Sequence, residues 1–261
     1  MAKSNYRKIN VISSEQITEN MQRVVFNGDD LGDFPHDCAS GYIKILFSPD
    51  GKALTEKTQV EALSPARPLM RTYSIRAFHP EQQAMTVDFV LHKDSDGPAS
   101  KWAQSSKSGD SLVIGGPGPV KLVNNEADWF FIVGDMTALP ALSCNLEQLP
   151  DSAKGYAFIE VMSELDIQDL KAPAGVSISW IINQGLKYPE RLLKAVYEAQ
   201  WLAGKPYIWC ACEFNAMRAL RMYFKNDRKI ESQNMYISSY WKSGNTEDQH
   251  KVAKREDTRQ A

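Results

Sequence analysis

The sequence has few of the features that mark exported, membrane-spanning or nucleic-acid-binding proteins. No stretch of its 261 residues approaches the roughly 18 consecutive apolar residues that a membrane helix needs. Its start, MAKSNYRKIN, lacks the basic segment followed by an apolar run that is typical of a signal peptide. Positive charge is not in excess, because 30 Lys and Arg face 32 Asp and Glu. We therefore expect a cytoplasmic protein that neither inserts into a membrane nor binds nucleic acid.

Cysteine and histidine are also sparse. Four cysteines are too few and too scattered for a disulfide framework in a chain of this length, which fits a reducing compartment. Cys210 and Cys212 lie two residues apart in an apolar run, so a strand would turn both thiols to one face. We interpret them as buried and inert, with a redox or metal role as the alternative. The four histidines are dispersed and show no zinc-ligand spacing, so we expect no metal site.

The first half of the chain alternates short β segments with turn residues. Because such a pattern closes most simply as an antiparallel barrel, we predict a β-barrel domain over residues 1–125. Within one strand Ile43 and Ile45 share a face, so Lys44 should leave the core. The run 115–119, GGPGP, lacks the spacing of a dinucleotide loop and is interpreted as the closing turn of the barrel. The predicted strands are 24–26, 42–47, 73–78, 85–91 and 111–114.

From residue 129 apolar strands alternate with helical spacings, which predicts an open, mostly parallel α/β domain of the nucleotide-binding type over residues 126–261. One helix should carry Leu139 and Leu142, a second should open at Pro189 and reach Leu202, and a third should span 213–225. The charged tail is either a solvated helix capped by Thr246 or a frayed end. The predicted strands are 129–133, 156–161, 176–182, 207–212 and 235–238.

Two segments of the first half have the chemistry of a flavin site. In Arg71-Thr72-Tyr73-Ser74 the arginine can place a planar cation against a diphosphate, the tyrosine can stack on a flat heterocycle, and the serine can hydrogen-bond its edge. The alternative is an exposed arginine beside an ordinary strand tyrosine. The segment 92–103 is typical of a turn leading into a short helix. Backbone at Gly97 and Ala99 can approach a ligand closely, and N–H groups at the helix start bind phosphate oxygens.

Together the two segments resemble the flavin-binding barrel of the ferredoxin-reductase superfamily. In chain order they are followed by Gly109-Asp110, Gly116-Pro117, GDMTALPA at 134–141 and YWKSG at 240–244, and the whole set is similar to the siderophore-interacting protein family. The resemblance implies an enzyme with FAD as cofactor, a ferric siderophore as substrate and reduction to Fe(II) as the reaction. We expect a monomer. The cofactor-binding residues that it implies are Arg71, Thr72, Tyr73, Ser74, Asp88, Val90, His92, Gly97, Pro98, Ala99, Ser100, Thr137, Ala138, Tyr240 and Trp241.

Two of these assignments have alternatives. Thr137 either caps the helix that follows it or points its hydroxyl at the flavin or nicotinamide. Trp241 either lies near the flavin or is buried for packing alone.

We expect NAD(P)H or reduced ferredoxin as the electron donor. Relatives usually carry Ala-Gly-Glu where this chain has Ala211-Cys212-Glu213, so we expect the Cys212 side chain to obstruct a nicotinamide. Ferredoxin would then be a partner protein.

Substrate binding should depend on local positive charge, because ferric catecholate and hydroxycarboxylate chelates are anionic. The candidates are Lys44, Lys121 and one of Lys242, Lys251 and Lys254, each with a solvated surface charge as its alternative. We predict no catalytic side chain, because the cofactor carries the redox chemistry. Two other functions remain open: a general NAD(P)H-dependent flavin or ferredoxin reductase, and a non-catalytic intracellular carrier of siderophores.

Overall fold

The computed structural model describes residues 6–91, 97–184 and 189–260. The chain separates into two compact units, Met1–Lys121 and Leu122–Ala261. The first contains a seven-stranded sheet of antiparallel pairs, and the second a five-stranded parallel sheet with helices. The predicted antiparallel barrel followed by an open α/β domain is therefore confirmed.

Seven strands and two α-helices form the described part of the first unit. The strands are β1 (Tyr6–Thr18), β2 (Met21–Asn27), β3 (Tyr42–Phe47), β4 (Leu69–Ser74), β5 (Ala77–His79), β6 (Ala84–Val90) and β7 (Ser111–Gly118), and the helices are α1 (Lys57–Ala62) and α2 (Pro98–Ser105). Their order in the sheet is β4-β3-β7-β1-β2-β6-β5.

A bent segment closes the barrel. The strand predicted over 73–78 is interrupted at Ile75 and Arg76, so that β4 pairs with β3 while β5 pairs with β6. At the bend the Ile75 N–H donates to the Gly41 carbonyl at 2.8 Å, and the Arg76 N–H donates to the Thr86 carbonyl at 2.9 Å. Because β4 and β5 are the two outer strands of the sheet order, this segment connects both ends of the sheet.

Strand β3 separates two apolar clusters. Ile43 and Ile45 lie in the main barrel core, and Lys44 is half-buried outside it, as predicted. Leu46 shares the face of Lys44 but is fully buried, because Val60 of α1 helps to cover it in a second, smaller cluster. Neither α1 nor β1 was predicted. The polar composition of β1, YRKINVISSEQIT, hides the alternation that would have marked it as a strand.

The run 115–119 is not the closing turn that we expected. Residues up to Gly118 continue β7, and Gly118 pairs with Tyr42 of β3. A Cβ atom at Gly118 would lie only 2.1 Å from Cζ of Tyr42, so the tyrosine ring occupies the space that a side chain would need. Glycine and proline have low strand propensity, which is why the pattern predicted a turn.

Five strands and four α-helices form the described part of the second unit. The strands are β8 (Trp129–Asp135), β9 (Lys154–Val161), β10 (Gly175–Ile182), β11 (Pro206–Glu213) and β12 (Met235–Trp241), and the helices are α3 (Leu139–Glu147), α4 (Pro189–Glu198), α5 (Phe214–Met222) and α6 (Glu247–Gln260). Their order in the sheet is β10-β9-β8-β11-β12.

All five strands predicted for this unit are confirmed, and two helix boundaries differ. The helix that opens at Pro189 ends at Glu198, so Leu202 lies outside it. The third helix begins at Phe214, because Glu213 still belongs to β11 and caps the helix with its carboxylate.

The tail forms a docked helix, α6. The Thr246 hydroxyl accepts from the Gln249 N–H at 3.3 Å, as expected of a cap. Asp257 of α6 is buried and forms an ion pair with Arg221 of α5 at 2.7 Å. None of the helices in the described ranges is long and apolar enough to cross a membrane.

Candidate cofactor and substrate sites

A groove of about 570 Å³ opens on the first unit between β4, the turn that follows β3, and helix α2. Arg71 and Lys101 give it positive charge, whereas Leu69 and Trp102 give it apolar surface. Arg71 belongs to one of the two predicted flavin segments and Trp102 to the other, so folding brings both segments to the same groove. The remaining lining residues are Pro49, Asp50, Gly51, Ala53, Pro98 and Ser105.

Helix α2 is held firmly at the groove by its buried face. Pro98 occupies the first helical position, where its fixed φ and missing N–H are tolerated. Ala99 and Ser100 are buried, and the Trp102 ring packs 6.0 Å from the ring of Phe26. The start of the helix, with its partial positive charge, is therefore fixed next to the groove.

Arg71 and Tyr73 lie on one face of β4. They are the register partners of Ile45 and Ile43 on the neighbouring strand β3. The Arg71 guanidinium is half-buried and donates to the Met70 carbonyl at 2.9 Å. The centre of the Tyr73 ring lies 4.4 Å from that of the Phe89 ring, so the tyrosine packs partly against the barrel core.

The other two residues of this segment differ in exposure. Thr72 is exposed and lies directly opposite Lys44, whereas Ser74 is buried. Lys44 thus shares a face with Thr72, and Arg71 belongs to the opposite face.

Three further predicted cofactor residues lie before α2. Asp88 is only 5% exposed, and both of its carboxylate oxygens accept from Arg23 on the neighbouring strand, at 2.7 and 2.8 Å. This carboxylate is therefore engaged in an ion pair within the barrel. Val90 is buried at the end of β6. His92 lies outside the described residues.

Three buried carboxyl groups lie where adjacent strands of the second unit end. Asp135 ends β8, Glu160 lies one residue before the end of β9, and Glu213 ends β11; their side chains are 0%, 4% and 6% exposed. Asp135 is directly in register with Glu160. Ligands of open α/β sheets bind at this carboxyl edge. The sequence interpretation did not select these acids, although an acidic residue that ends an otherwise apolar strand is a detectable signal.

Asp135 is surrounded by hydrogen-bond donors. The Thr137 N–H and hydroxyl donate to Oδ1 at 2.9 and 2.6 Å, and the Trp241 indole N–H donates to Oδ2 at 2.7 Å. Burial raises the pKa of this carboxyl above its usual range despite these contacts. Of the two alternatives for Thr137, capping of the following helix is excluded, because Ala138 occupies the N-cap position.

Burial also shifts the pKa of the Glu160 carboxyl upward. Burial raises its pKa to about 8, and the nearby carboxyl groups of Asp135, Glu190 and Glu213 act in the same direction. The Asn183 side-chain amide donates to Oε1 at 2.8 Å and partly opposes the shift. Glu160 therefore keeps its proton at neutral pH.

The two thiols of β11 are buried and free, as predicted. Cys212 is 1% exposed and packs in an apolar cluster with Leu192 and Met217 of the neighbouring helices. Hydrogen bonding with Cys210 and burial raise the pKa of the Cys212 thiol. The predicted obstruction of a nicotinamide is wrong, because this thiol faces the core.

The candidate lysines have different surroundings. Lys121 is exposed at the end of the first unit. Lys251 forms an ion pair with Glu247 at 3.0 Å. Lys254 donates to the Ser238 hydroxyl at 2.7 Å, and burial lowers its pKa. The ammonium group of Lys242 lies 4.5 Å above the centre of the Phe214 ring.

Comparison with known proteins gives matches over both units. A family model described as siderophore-interacting FAD-binding domain matches residues 10–121, and one described as siderophore-interacting protein matches residues 127–244. The ferric vibriobactin reductase ViuB of Vibrio cholerae is 28% identical over 248 residues, which cover 93% of this chain and 91% of that protein. The NADPH-dependent ferric-chelate reductase of Escherichia coli is 27% identical over 244 residues, covering 90% and 92%.

The fold also matches a solved structure. The crystal structure of the siderophore-interacting protein SipS from Aeromonas hydrophila has a TM-score of 0.85 and 30% sequence identity. The match covers 99% of each chain.

Proposed function

Because the chain belongs to the siderophore-interacting protein family, we propose that it is an FAD-dependent reductase of ferric siderophores. The observation that carries the proposal is the barrel groove, where one cationic and one aromatic side chain come from the two flavin segments, Arg71 and Trp102.

The residues of the groove fit FAD. Arg71, Lys101 and the start of α2 supply the cations and the partial positive charge that a diphosphate requires. Leu69 and Trp102 supply apolar surface for a flat ring. Bound FAD would carry electrons to Fe(III), so that the protein has to position and neutralise charge rather than act as a nucleophile. We assign further contacts to Thr72, Tyr73, Ser74 and the segment Gly97-Pro98-Ala99-Ser100.

We propose NADPH or reduced ferredoxin as the electron donor and the cytoplasm as the compartment. The name of the Escherichia coli relative favours NADPH. The burial of the Cys212 thiol also removes the steric argument against a nicotinamide nucleotide. Four buried cysteines that form no disulfide fit a reducing compartment.

Anaerobic electron-transfer measurements test the function. The FAD-loaded protein is mixed with NADPH, NADH or reduced ferredoxin, then with ferric siderophores, while a colorimetric chelator traps Fe(II). We expect flavin bleaching by at least one donor, flavin reoxidation on adding ferric siderophore, and stoichiometric Fe(II). A flavin that stays reduced in the presence of every ferric chelate would show that the proposed activity is wrong.

We propose that Lys44 and Lys121 attract anionic ferric chelates. Replacing either residue with alanine should raise KM for a ferric catecholate about three- to tenfold and flatten its salt dependence, because less screenable attraction remains. FAD content should not change. The measurement is steady-state reduction at several ionic strengths, with a neutral ferric hydroxamate as the second substrate.

Lys107→Ala is the matched control, because Lys107 is 79% exposed and pairs with Asp110 in the same unit. Equal losses for neutral and anionic chelates would assign the two lysines a structural role. Unchanged KM values for both chelates would leave them as solvated charges.

A further inference from the structure

Three consecutive residues that end and follow β12 are each held by a different contact. We call Trp241, Lys242 and Ser243 the anchored segment. The Trp241 indole donates to Asp135 at 2.7 Å, the Lys242 ammonium lies on the Phe214 ring at 4.5 Å, and the Ser243 N–H donates to Glu213 at 3.2 Å. Its position is therefore defined by side chains from β8, β11 and α5.

An irregularity in β12 gives the segment its direction. Cys212 of β11 pairs with Ser239, but the next residue, Glu213, pairs with Trp241, so Tyr240 is an extra residue on β12. Such a bulge re-aims the side chains that follow it. The Trp241 indole reaches Asp135 on β8, although β11 lies between the two strands in the sheet.

Both acidic side chains are buried, and each uses one of its hydrogen bonds to hold the anchored segment. Asp135 is fully buried, so loss of the indole N–H would remove one of its donors without letting water replace it freely. Glu213 uses its other oxygen to accept from the Ala216 N–H at the start of α5. The same carboxylate thus fixes both the helix that carries Phe214 and the segment that carries Lys242.

We propose that Asp135 and Glu213 are positioning residues, which hold the anchored segment so that Lys242 presents its charge to an anionic ferric chelate. This inference rests on the proposed function. Of the three C-terminal lysines, Lys251 is paired with a carboxylate and Lys254 is bound to β12. The aromatic ring under Lys242 orients the ammonium group without neutralising its charge.

Trp241→Phe and Asp135→Asn test the role of the contact. Phenylalanine at position 241 keeps an aromatic ring but lacks the indole N–H that donates to Asp135. Asparagine at position 135 has only one oxygen that can accept hydrogen bonds from Thr137 and Trp241. Each substitution should raise KM and Kd for an anionic ferric chelate about fivefold, with little effect on a neutral chelate. For Asp135→Asn, kcat should stay within about twofold and FAD content should not change. Kd is measured by flavin fluorescence of the oxidised, FAD-loaded protein.

A double variant that combines Trp241→Phe with Lys242→Gln distinguishes a positioning role from a general structural effect. If Asp135 acts through Lys242, Trp241→Phe should add nothing to the KM and Kd of the Lys242→Gln protein. Trp180→Phe on the edge strand β10 is the matched control for loss of an indole and should leave both constants unchanged.

Additive effects, or equal losses with neutral and anionic chelates, would overturn the positioning role. If Asp135→Asn fails to fold, the Trp241→Phe pair of measurements decides alone. If the wild-type protein binds ferric chelate but does not reduce it, the proposed reductase function is wrong. The Kd values of the wild type and the variants then still test the positioning role. If it binds no chelate at all, both are wrong.

Discussion

Arg71→Ala is expected to weaken FAD binding by about 1.5–3 kcal/mol, or roughly 10- to 150-fold in Kd, because it removes a charge-assisted contact to the diphosphate. The purified variant should be largely colourless after dialysis. Arg71→Lys should recover only part of the affinity, since an ammonium group keeps the charge but loses the planar, two-pronged geometry of the guanidinium. Titration of the apoprotein with FAD, followed by flavin fluorescence, measures both effects.

Arg67→Ala is the control for this experiment. Arg67 is exposed and lies four residues before Arg71. Its replacement tests whether the loss of any arginine in this region weakens FAD binding. Equal FAD affinity in wild type and Arg71→Ala would exclude Arg71 from the cofactor site. Equal losses in the two alanine variants would point to a diffuse charge effect.

Glu160→Gln is expected to change the pH dependence of stability. The pKa of Glu160 is raised to about 8 in the folded protein, from 4.5 in a solvated glutamate. Between these values the folded protein holds a proton that the unfolded chain has released. Stability contributed by this group is therefore highest below about pH 4.5 and falls as the pH rises towards 8.

The glutamine variant removes this loss because it has no proton to release. Its amide oxygen can still accept from Asn183, as Oε1 does in the wild type. We expect the variant to match the wild type near pH 5 and to exceed its free energy of unfolding at pH 8–9 by on the order of 2–4 kcal/mol. Urea unfolding across this pH range measures the difference.

An exposed glutamate of the same unit provides the comparison. Glu164→Gln should leave the pH profile close to that of the wild type, because this side chain is solvated. The prediction is wrong if the Glu160→Gln protein has a lower free energy of unfolding than the wild type at pH 9. Ionisation of Glu160 would then not destabilise the folded protein.

Much of the architecture follows from local pattern. The runs WFFIV and YIWCAC are apolar throughout because β8 and β11 are covered on both faces, so the sequence was sufficient to place both strands. Short motifs such as RTYS at 71–74 and YWKSG at 240–244 were sufficient to predict the family, which the matches over residues 10–121 and 127–244 confirm. Strand β1 and helix α1 escaped prediction, because neither is apolar enough to show its period.

The arrangement of side chains depends on contacts between distant parts of the chain. Trp241 and Asp135 are 106 residues apart, and their hydrogen bond exists only because β8, β11 and β12 pair in one register with an extra residue at Tyr240. Burial likewise turned Cys212 into a core residue and Glu160 into a neutral acid. Periodicity along the chain defines which face of its own strand a residue occupies. Desolvation and hydrogen bonding depend on which side chains of other strands and helices pack against that face.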